Sequence, residues 1–233
     1  MSLSLLLLGL LIGMRHATEA DHLAAIATLT SRNQGLRSTF LQGAAWGLGH
    51  TFTLFVFTGL VLLLGGTVPA HYAKLLETAV GLMLIGLGLD VFCRFYRNRV
   101  HLHVHSHVDG VRHVHAHSHA SRIAHDEDAH QHQHAKGVTR RALSIGLIHG
   151  MAGSASLIVL TTQHTHNIMT GLLYILLFGI GSILGMTLLS AAIIIPLRQL
   201  HSLGLTRIYN GAQCLIGTMT IGLGSMIVWG GVA

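Results

Sequence analysis

A cluster of ionisable side chains lies within eight consecutive residues near the start of the chain: Arg15, His16, Glu19, Asp21 and His22. Apolar residues flank the cluster on both sides, over 3–14 and again over 23–29. A charged side chain near the centre of a bilayer costs at least ~2.5–3.5 kcal/mol, so this cluster indicates a path for an ion, a proton or a substrate. The alternative is that the first helix ends at Met14 and the cluster lies among lipid headgroups. We favour the first interpretation because the apolar pattern resumes with no helix stop signal.

The residue types in this cluster are those that bind borderline divalent metals. His16, Asp21 and His22 form a His-x4-Asp-His motif, and His50 lies in the next apolar segment. Imidazole and carboxylate ligands suit nickel, cobalt, zinc or copper(II), and the thiolates that favour copper(I) are missing from the motif. The candidate metal ligands are therefore His16, Asp21, His22 and His50, with Glu19 and His149 as weaker candidates.

A straight helix cannot direct the whole motif at one ion. On a regular helix His16 and Asp21 point about 140° apart, and His22 points about 100° further round. We therefore expect the backbone to open between Ala17 and Ala20, by a π-bulge or a short unwound turn. Asp21 then either binds the ion or orients an imidazole. With a regular helix, only some of these side chains can be ligands.

The composition is that of a membrane protein with several spans. Of the 233 residues, 51% are hydrophobic and 9% are charged, whereas soluble domains average about 25% charged residues. The formal charge of +6 does not indicate nucleic-acid binding, because the basic residues are spread over loops. Cys93 and Cys214 lie in apolar segments and are interpreted as small hydrophobic residues rather than a disulfide.

The apolar segments predict an all-α, polytopic membrane fold with six transmembrane helices, over 3–30, 40–64, 72–96, 140–162, 168–197 and 206–231. Arginines lie in alternate loops, and the opposite face carries only Lys74. By the positive-inside rule, the protein lies in the cell (inner) membrane with both termini outside the cytoplasm and the central loop inside.

The central loop, residues 97–139, differs from the rest of the chain. It contains twelve histidines between His101 and His134. Histidine alternating with other residues and followed by acidic residues cannot build an apolar core, so we expect disorder without metal. Such tracts bind divalent transition metals. The residues expected to buffer metal are His101, His103, His105, His107, His113, His115, His117 and His119.

An internal repeat divides the membrane part into residues 1–96 and 140–233. The segment 12–17 matches 145–150, 46–50 corresponds to 178–182, and 85–88 corresponds to 221–224. Because each repeat has three spans, the second copy is expected to be inverted in the membrane, as in many secondary transporters whose site lies near the midplane. The alternative is a chance match among helices rich in glycine and leucine.

Three further groups lie outside the motif. Glu77 is expected to pair with Lys74 at the outer surface, and Asp90 has no assigned role. His164 and His166 lie in the outer loop between the fourth and fifth spans, where they are candidates for receiving a cation.

The motifs resemble those of the nickel/cobalt transporter superfamily. Residues 15–26 resemble the family's signature around its His-x4-Asp-His motif, and Leu48-Gly49-His50-Thr51 resembles its Leu-Gly-His-Ser element. The resemblance implies that His16, Asp21, His22 and His50 handle the metal. The family's acidic Leu-Gly-Phe-Asp-Thr-Ala-Thr-Glu element is missing, and residues 149–155 resemble instead a shorter six-span branch that includes urease accessory transporters.

The function expected is a permease for nickel and/or cobalt ions, moving them inward, with no cofactor and no enzymatic activity. Efflux with the loop as collector or sensor is the first alternative, and a membrane protein for metal storage or sensing is the second. The His-Glu-x-x-His motif of zinc hydrolases and the repeated His-x-x-His-His boxes of di-iron membrane enzymes do not occur. A cytoplasmic metallochaperone or a metalloenzyme maturation system is a candidate partner, besides the lipid bilayer.

Overall fold

The computed structural model describes residues 3–31, 35–64, 69–97, 101–106, 112–117, 135–152 and 168–232. Its helices are α1 (Leu3–His16), α2 (Ala20–Thr30), α3 (Leu36–Leu63), α4 (Ala70–Arg97), α5 (Ala135–Ala152), α6 (Ile168–Ser202) and α7 (Thr206–Val232). Two strands, β1 (His101–Ser106) and β2 (Arg112–His117), lie between α4 and α5. Outside these strands, the described residues form helices joined by short connections, as the prediction of an all-α membrane part requires.

Four helices, α3, α4, α6 and α7, are long and apolar enough to cross a membrane. The segment predicted as the first span is divided into α1 and α2, and α5 covers the first part of the predicted fourth span. Residues 153–162 of that span, and His164 and His166, lie outside the described residues. Large apolar side chains point away from the protein, such as Trp229, which is 81% exposed. Such a surface is favourable in lipid and costly in water.

The backbone opens between α1 and α2, as the motif geometry predicted. Helix α1 ends at His16, and the amide of Glu19 donates a hydrogen bond to the carbonyl oxygen of His16 over 3.1 Å. Glu19 is extended, with φ −63° and ψ 149°, and its carbonyl accepts the first hydrogen bond of α2, from Leu23. The two helices therefore present His16 and His22 from different axes.

Glycines bring α1 directly against α6. A β-carbon on Gly13 would collide with the carbonyl oxygen of Phe178, and one on Gly181 with that of Leu10. Small residues are what allow such backbone approach between membrane helices. Ser182 adds a hydrogen bond from its hydroxyl to the carbonyl oxygen of Gly13 over 3.2 Å. The contacts advance together along both helices, from Gly9 beside Tyr174 to Ala17 beside Gly185, so α1 and α6 are parallel.

The same pattern recurs between α3 and α5. A β-carbon on Gly146 would collide with the carbonyl oxygen of Trp46, and one on Gly49 with that of Leu143. In the predicted repeat these residues align with those of the α1–α6 pair, at offsets of 132 or 133. Helices α3 and α5 are therefore also parallel, and they pack at the same close distance.

Helices α4 and α7 pack antiparallel through glycines. A β-carbon on Gly224 would lie 2.6 Å from the carbonyl oxygen of Gly81, and one on Gly88 would lie 2.8 Å from that of Gly217. The start of α4 therefore lies beside the end of α7. Helix α5 also runs against α4, because Arg141 near its start reaches Asp90 near the end of α4 over 3.3 Å.

These directions define two faces of the molecule. The arginine face carries the start of α3, α5 and α7 and the end of α4 and α6, with Arg37, Arg94, Arg140, Arg141, Arg198 and Arg207. Asp90 lies there between Arg94 and Arg141, at 3.4 and 3.3 Å. The opposite face carries the start of α4 and the ends of α3, α5 and α7, with Lys74.

The central loop departs from the expected disorder in its first part. Strands β1 and β2 pair antiparallel, with His101 opposite His117 and His105 opposite His113. The alternation of histidine with other residues has a period of two, which is the period of a strand. The predicted loop boundary also shifts, because α5 begins at Ala135. Residues 107–111 and 118–134, including His107 and His119, lie outside the described residues.

Candidate metal centre

Four histidines, one each from α1, α2, α3 and α5, meet in the interior and form what we call the histidine centre. Their exposed fractions are 9% for His16, 1% for His22, 0% for His50 and 1% for His149. The ring of His22 is central, with its centroid 4.3 Å from that of His16 and 4.2 Å from that of His149. Buried polar rings in such contact require partners, because an unsatisfied buried polar group costs about 1–3 kcal/mol.

His16, His22 and His50 form a group, the histidine triad, with the spacing of a metal site. One donor nitrogen from each lies within 4.8 Å of those of the other two. The Nε2 atoms of His16 and His50 are 3.3 Å apart. Three imidazoles are a common ligand set for a divalent transition metal and bring no net charge of their own into the interior.

Asp21 joins two of the histidines. Its Oδ1 accepts hydrogen bonds from the Nδ1 and from the backbone amide of His22, both over 2.8 Å. Its Oδ2 accepts one from the Nε2 of His149 over 3.0 Å. With Nδ1 of His22 protonated by this contact, Nε2 is the nitrogen left to bind a metal. Asp21, His22 and His149 also have donor atoms within 4.8 Å of one another.

Glu19 performs the same role for His16 from the extended residue between the helices. Its Oε1 lies 2.9 Å from the Nδ1 of His16, and its side chain is 57% exposed. A carboxylate on Nδ1 leaves Nε2 as the free nitrogen, and that atom is the one facing His50. The opening of the helix thus places a carboxylate behind each of the two motif imidazoles.

Several buried ring nitrogens have no hydrogen-bond partner among the described residues. They include Nε2 of His22, Nδ1 of His50 and Nδ1 of His149. In a chain whose other buried polar groups are mostly hydrogen-bonded, such atoms at one place require an explanation. A ligand that accepts their lone pairs, such as a metal ion, provides one.

Two aromatic residues, Trp46 and Phe178, line one side of the histidine centre. The ring of Trp46 lies one turn before His50 on α3, with its centroid 5.5 Å from those of His22 and His149. The ring of Phe178 lies 5.2 Å from that of His16. Trp46 and Phe178 are 1% and 4% exposed, so both exclude solvent from that side of the histidines.

A cavity of about 410 Å³ reaches the histidines from the other side. Its lining residues are His16, Glu19, Asp21, His22, Glu77, Val80, His149, Ala152, Ile227 and Gly230. Asp21 is accessible there, with its side chain 28% exposed. The centre is therefore buried but connected to solvent.

The structure brings all six candidate ligands of the sequence analysis to one place. His149, named there as a weaker candidate, is as buried as His22 and bonds directly to Asp21. Trp46 had no predicted role, although its ring lies beside the histidines. Glu77 was expected in a surface pair with Lys74, whereas its side chain lines the cavity. The position of Trp46 four residues before His50 was the available signal for its proximity.

Comparison with known proteins identifies relatives that match most of the chain. The chain is 34% identical over 197 residues to the urease accessory protein UreH of Bacillus sp. (strain TB-90), covering 83% of this chain and 78% of the relative. It is 25% identical over 187 residues to the "Putative nickel/cobalt efflux system" of Methanocaldococcus jannaschii, covering 79% and 73%. No family model and no solved structure matches the chain.

These relatives are proteins of the nickel/cobalt transporter type and not enzymes, which agrees with the sequence analysis. The apolar helices agree with a place in a membrane. The identity to UreH extends over most of both chains. The chain therefore belongs to the nickel/cobalt transporter family.

Proposed function

We propose that this protein is a permease that carries Ni²⁺ and/or Co²⁺ inward across the cell membrane, with the histidine triad as the binding site of the transported ion. The observation that carries the proposal is the convergence of three buried imidazoles, two of them held by carboxylates so that Nε2 is free. Asp21 acts as an orienting residue and supplies the negative charge that the cation requires in a low-dielectric interior.

The membrane potential favours the inward direction. With the cytoplasm negative by about 100 mV, entry gains ~2.3 kcal/mol per charge, and a divalent ion gains twice that. Uptake down this gradient needs no further energy source. Efflux is the second candidate, favoured by the printed name of the relative from Methanocaldococcus jannaschii, and it requires coupling to protons or another ion.

The membrane architecture that we propose has six spans in two inverted repeats, residues 1–96 and 140–233. The matched glycine contacts of α1 with α6 and of α3 with α5 support it. The antiparallel α4 and α7 are the third pair that such a symmetry requires. The arginine face is assigned to the cytoplasm, so that both termini lie outside and the histidine-rich loop lies inside.

The loop, residues 97–139, is proposed to buffer metal after it has entered. The loop connects the end of α4 with the start of α5, both of which lie at the arginine face, and its sequence carries the two histidine tracts from His101 to His119. From there the ion passes to a cytoplasmic metallochaperone or a metalloenzyme maturation system. The name of the relative UreH, a urease accessory protein, supports a partner of this class.

The test is metal accumulation in cells that express the protein, with nickel, cobalt and zinc measured side by side. Expression should raise nickel or cobalt content, and His50→Ala should lower the initial uptake rate at least about tenfold, because it removes a ligand. His201→Ala is the matched control, since His201 is exposed at the arginine face. Lower metal content on expression would establish efflux, and normal uptake by His50→Ala would exclude the triad.

A further inference from the structure

Among the described residues, the cavity beside the histidine centre extends from the histidines toward the face opposite the arginines. Besides the metal centre it is lined by Glu77 and Val80 from the first turns of α4, and by Ala152, Ile227 and Gly230 from the ends of α5 and α7. All these helix ends lie on the face opposite the arginines. The centre is therefore reached from that face.

On the arginine side the path is filled by packed side chains. Trp46 covers the histidines there, and Ile26, Leu84 and Met186 belong to the same core cluster, each at most 1% exposed. Asp90 bridges Arg94 on its own helix and Arg141 on α5 further along. The described residues therefore close the molecule between the histidine centre and the arginine face.

The open cavity is acidic. Its lining contains Glu19, Asp21 and Glu77 and, within the described residues, neither lysine nor arginine. Of the four carboxylates whose side chains the structure describes, only Asp90 lies elsewhere, at the opposite end of α4. Glu77 is exposed and lies one helical turn inward of Lys74 on α4, which begins at the face opposite the arginines.

The wall of the cavity also carries the unpartnered nitrogens Nε2 of His22 and Nδ1 of His149, on side chains that are 1% exposed. Buried nitrogens whose lone pairs have no partner among the described residues, beside three carboxylates, indicate a cationic ligand rather than a solvated acidic surface. At about 30 Å³ per water molecule the cavity holds roughly a dozen waters, which is enough for a hydrated divalent ion.

We propose that this cavity is the entry vestibule for the hydrated cation and that Glu77 is its outer capture residue. The ion is attracted by the charge of Glu77, passes the Asp21–His149 pair, and loses water as it enters the histidine triad. This inference rests on the proposed function, because it assigns the route to the same site. It adds Glu77, a residue that belongs neither to the histidine triad nor to the His-x4-Asp-His motif. In this proposal the charge of Glu77 sets the rate at which the cation reaches the triad.

The experiment measures how fast Ni²⁺ binds to the purified full-length protein in lipid nanodiscs. Trp46 reports binding because its ring lies 5.5 Å from two histidines of the centre. Trp229→Phe removes the other tryptophan, which is 81% exposed on α7. In this background, Glu77→Gln should lower the association rate constant about fivefold at low ionic strength and leave the dissociation rate constant unchanged.

Three comparisons sharpen the result. Glu77→Asp should restore the rate because it restores the charge, and Lys74→Gln should raise the rate because it removes the nearby cation. In about 1 M salt the variants should converge, since the Debye length falls to about 3 Å. An unchanged association rate in Glu77→Gln, or an effect on dissociation alone, would overturn the vestibule. No quenching in the Trp229→Phe background would overturn the metal site itself and the vestibule with it.

Discussion

Asp21 is the residue on which the geometry of the centre depends most. Its two oxygens hold the imidazole of the adjacent His22 on α2 and that of His149 on α5, 128 positions further along the chain than Asp21. Such carboxylates behind metal-binding imidazoles fix the tautomer and the ring orientation. The exposed Glu19 serves only His16, and water can replace it.

Replacing Asp21→Asn should therefore weaken Ni²⁺ binding about 10- to 100-fold, measured by equilibrium titration of the purified protein. The amide oxygen still accepts a hydrogen bond from His22, but the amide nitrogen cannot accept one from His149, and the negative charge is lost. Glu19→Gln is the matched control and should change affinity by no more than a few-fold. A well-folded Asp21→Asn variant with native affinity would mean that the carboxylate only stabilises the fold.

At the scale of the helices, glycines set the distance between the elements that carry the ligands. Gly146 lies three residues before His149 on α5, against the carbonyl oxygen of Trp46. Gly150, one residue after His149, lies equally close to the carbonyl oxygen of His50. Any side chain at these positions would push α5 away from α3, and His149 away from Asp21.

Gly146→Ala should lower stability by about 1–3 kcal/mol, as overpacking does elsewhere, and should weaken Ni²⁺ binding as well. Thermal unfolding in detergent with and without Ni²⁺ measures both effects. Gly222→Ala on α7 is the control, because a β-carbon there meets nothing within 4 Å. Equal melting temperatures for the two variants would show that α3 and α5 tolerate separation.

For the whole molecule, the distribution of arginines predicts the orientation in the membrane. Six arginines whose side chains the structure describes lie at one face, namely Arg37, Arg94, Arg140, Arg141, Arg198 and Arg207. Positive residues in short loops remain in the cytoplasm. The vestibule face is then the outer face, which agrees with inward transport.

An epitope tag at the C-terminus should accordingly be accessible to antibody on intact cells, and a tag inserted at Gly110 should become accessible only after permeabilisation. The reverse pattern would place Glu77 and the vestibule in the cytoplasm, where they would serve as the entrance for efflux.

Most of the proposed ligands, and the break in the helix that presents them, were predicted from the sequence alone. Burying charge in an apolar segment is so costly that His16, Asp21 and His22 required a function. The 100° turn per residue then required the backbone to open near Ala17, and it does. Both inferences are local, since they depend on residues close together along the chain.

The positions of His149 and Trp46 in the centre, and of Glu77 in the cavity, were decided only by the tertiary structure. Each depends on the distance and rotation between helices far apart in sequence, which glycine contacts such as that of Gly146 with Trp46 determine. A sequence lists glycines without saying which carbonyl each one meets. Packing therefore decides whether Glu77 on α4 is a surface group or part of a cavity. The cavity lies where the start of α4 meets the ends of α5 and α7.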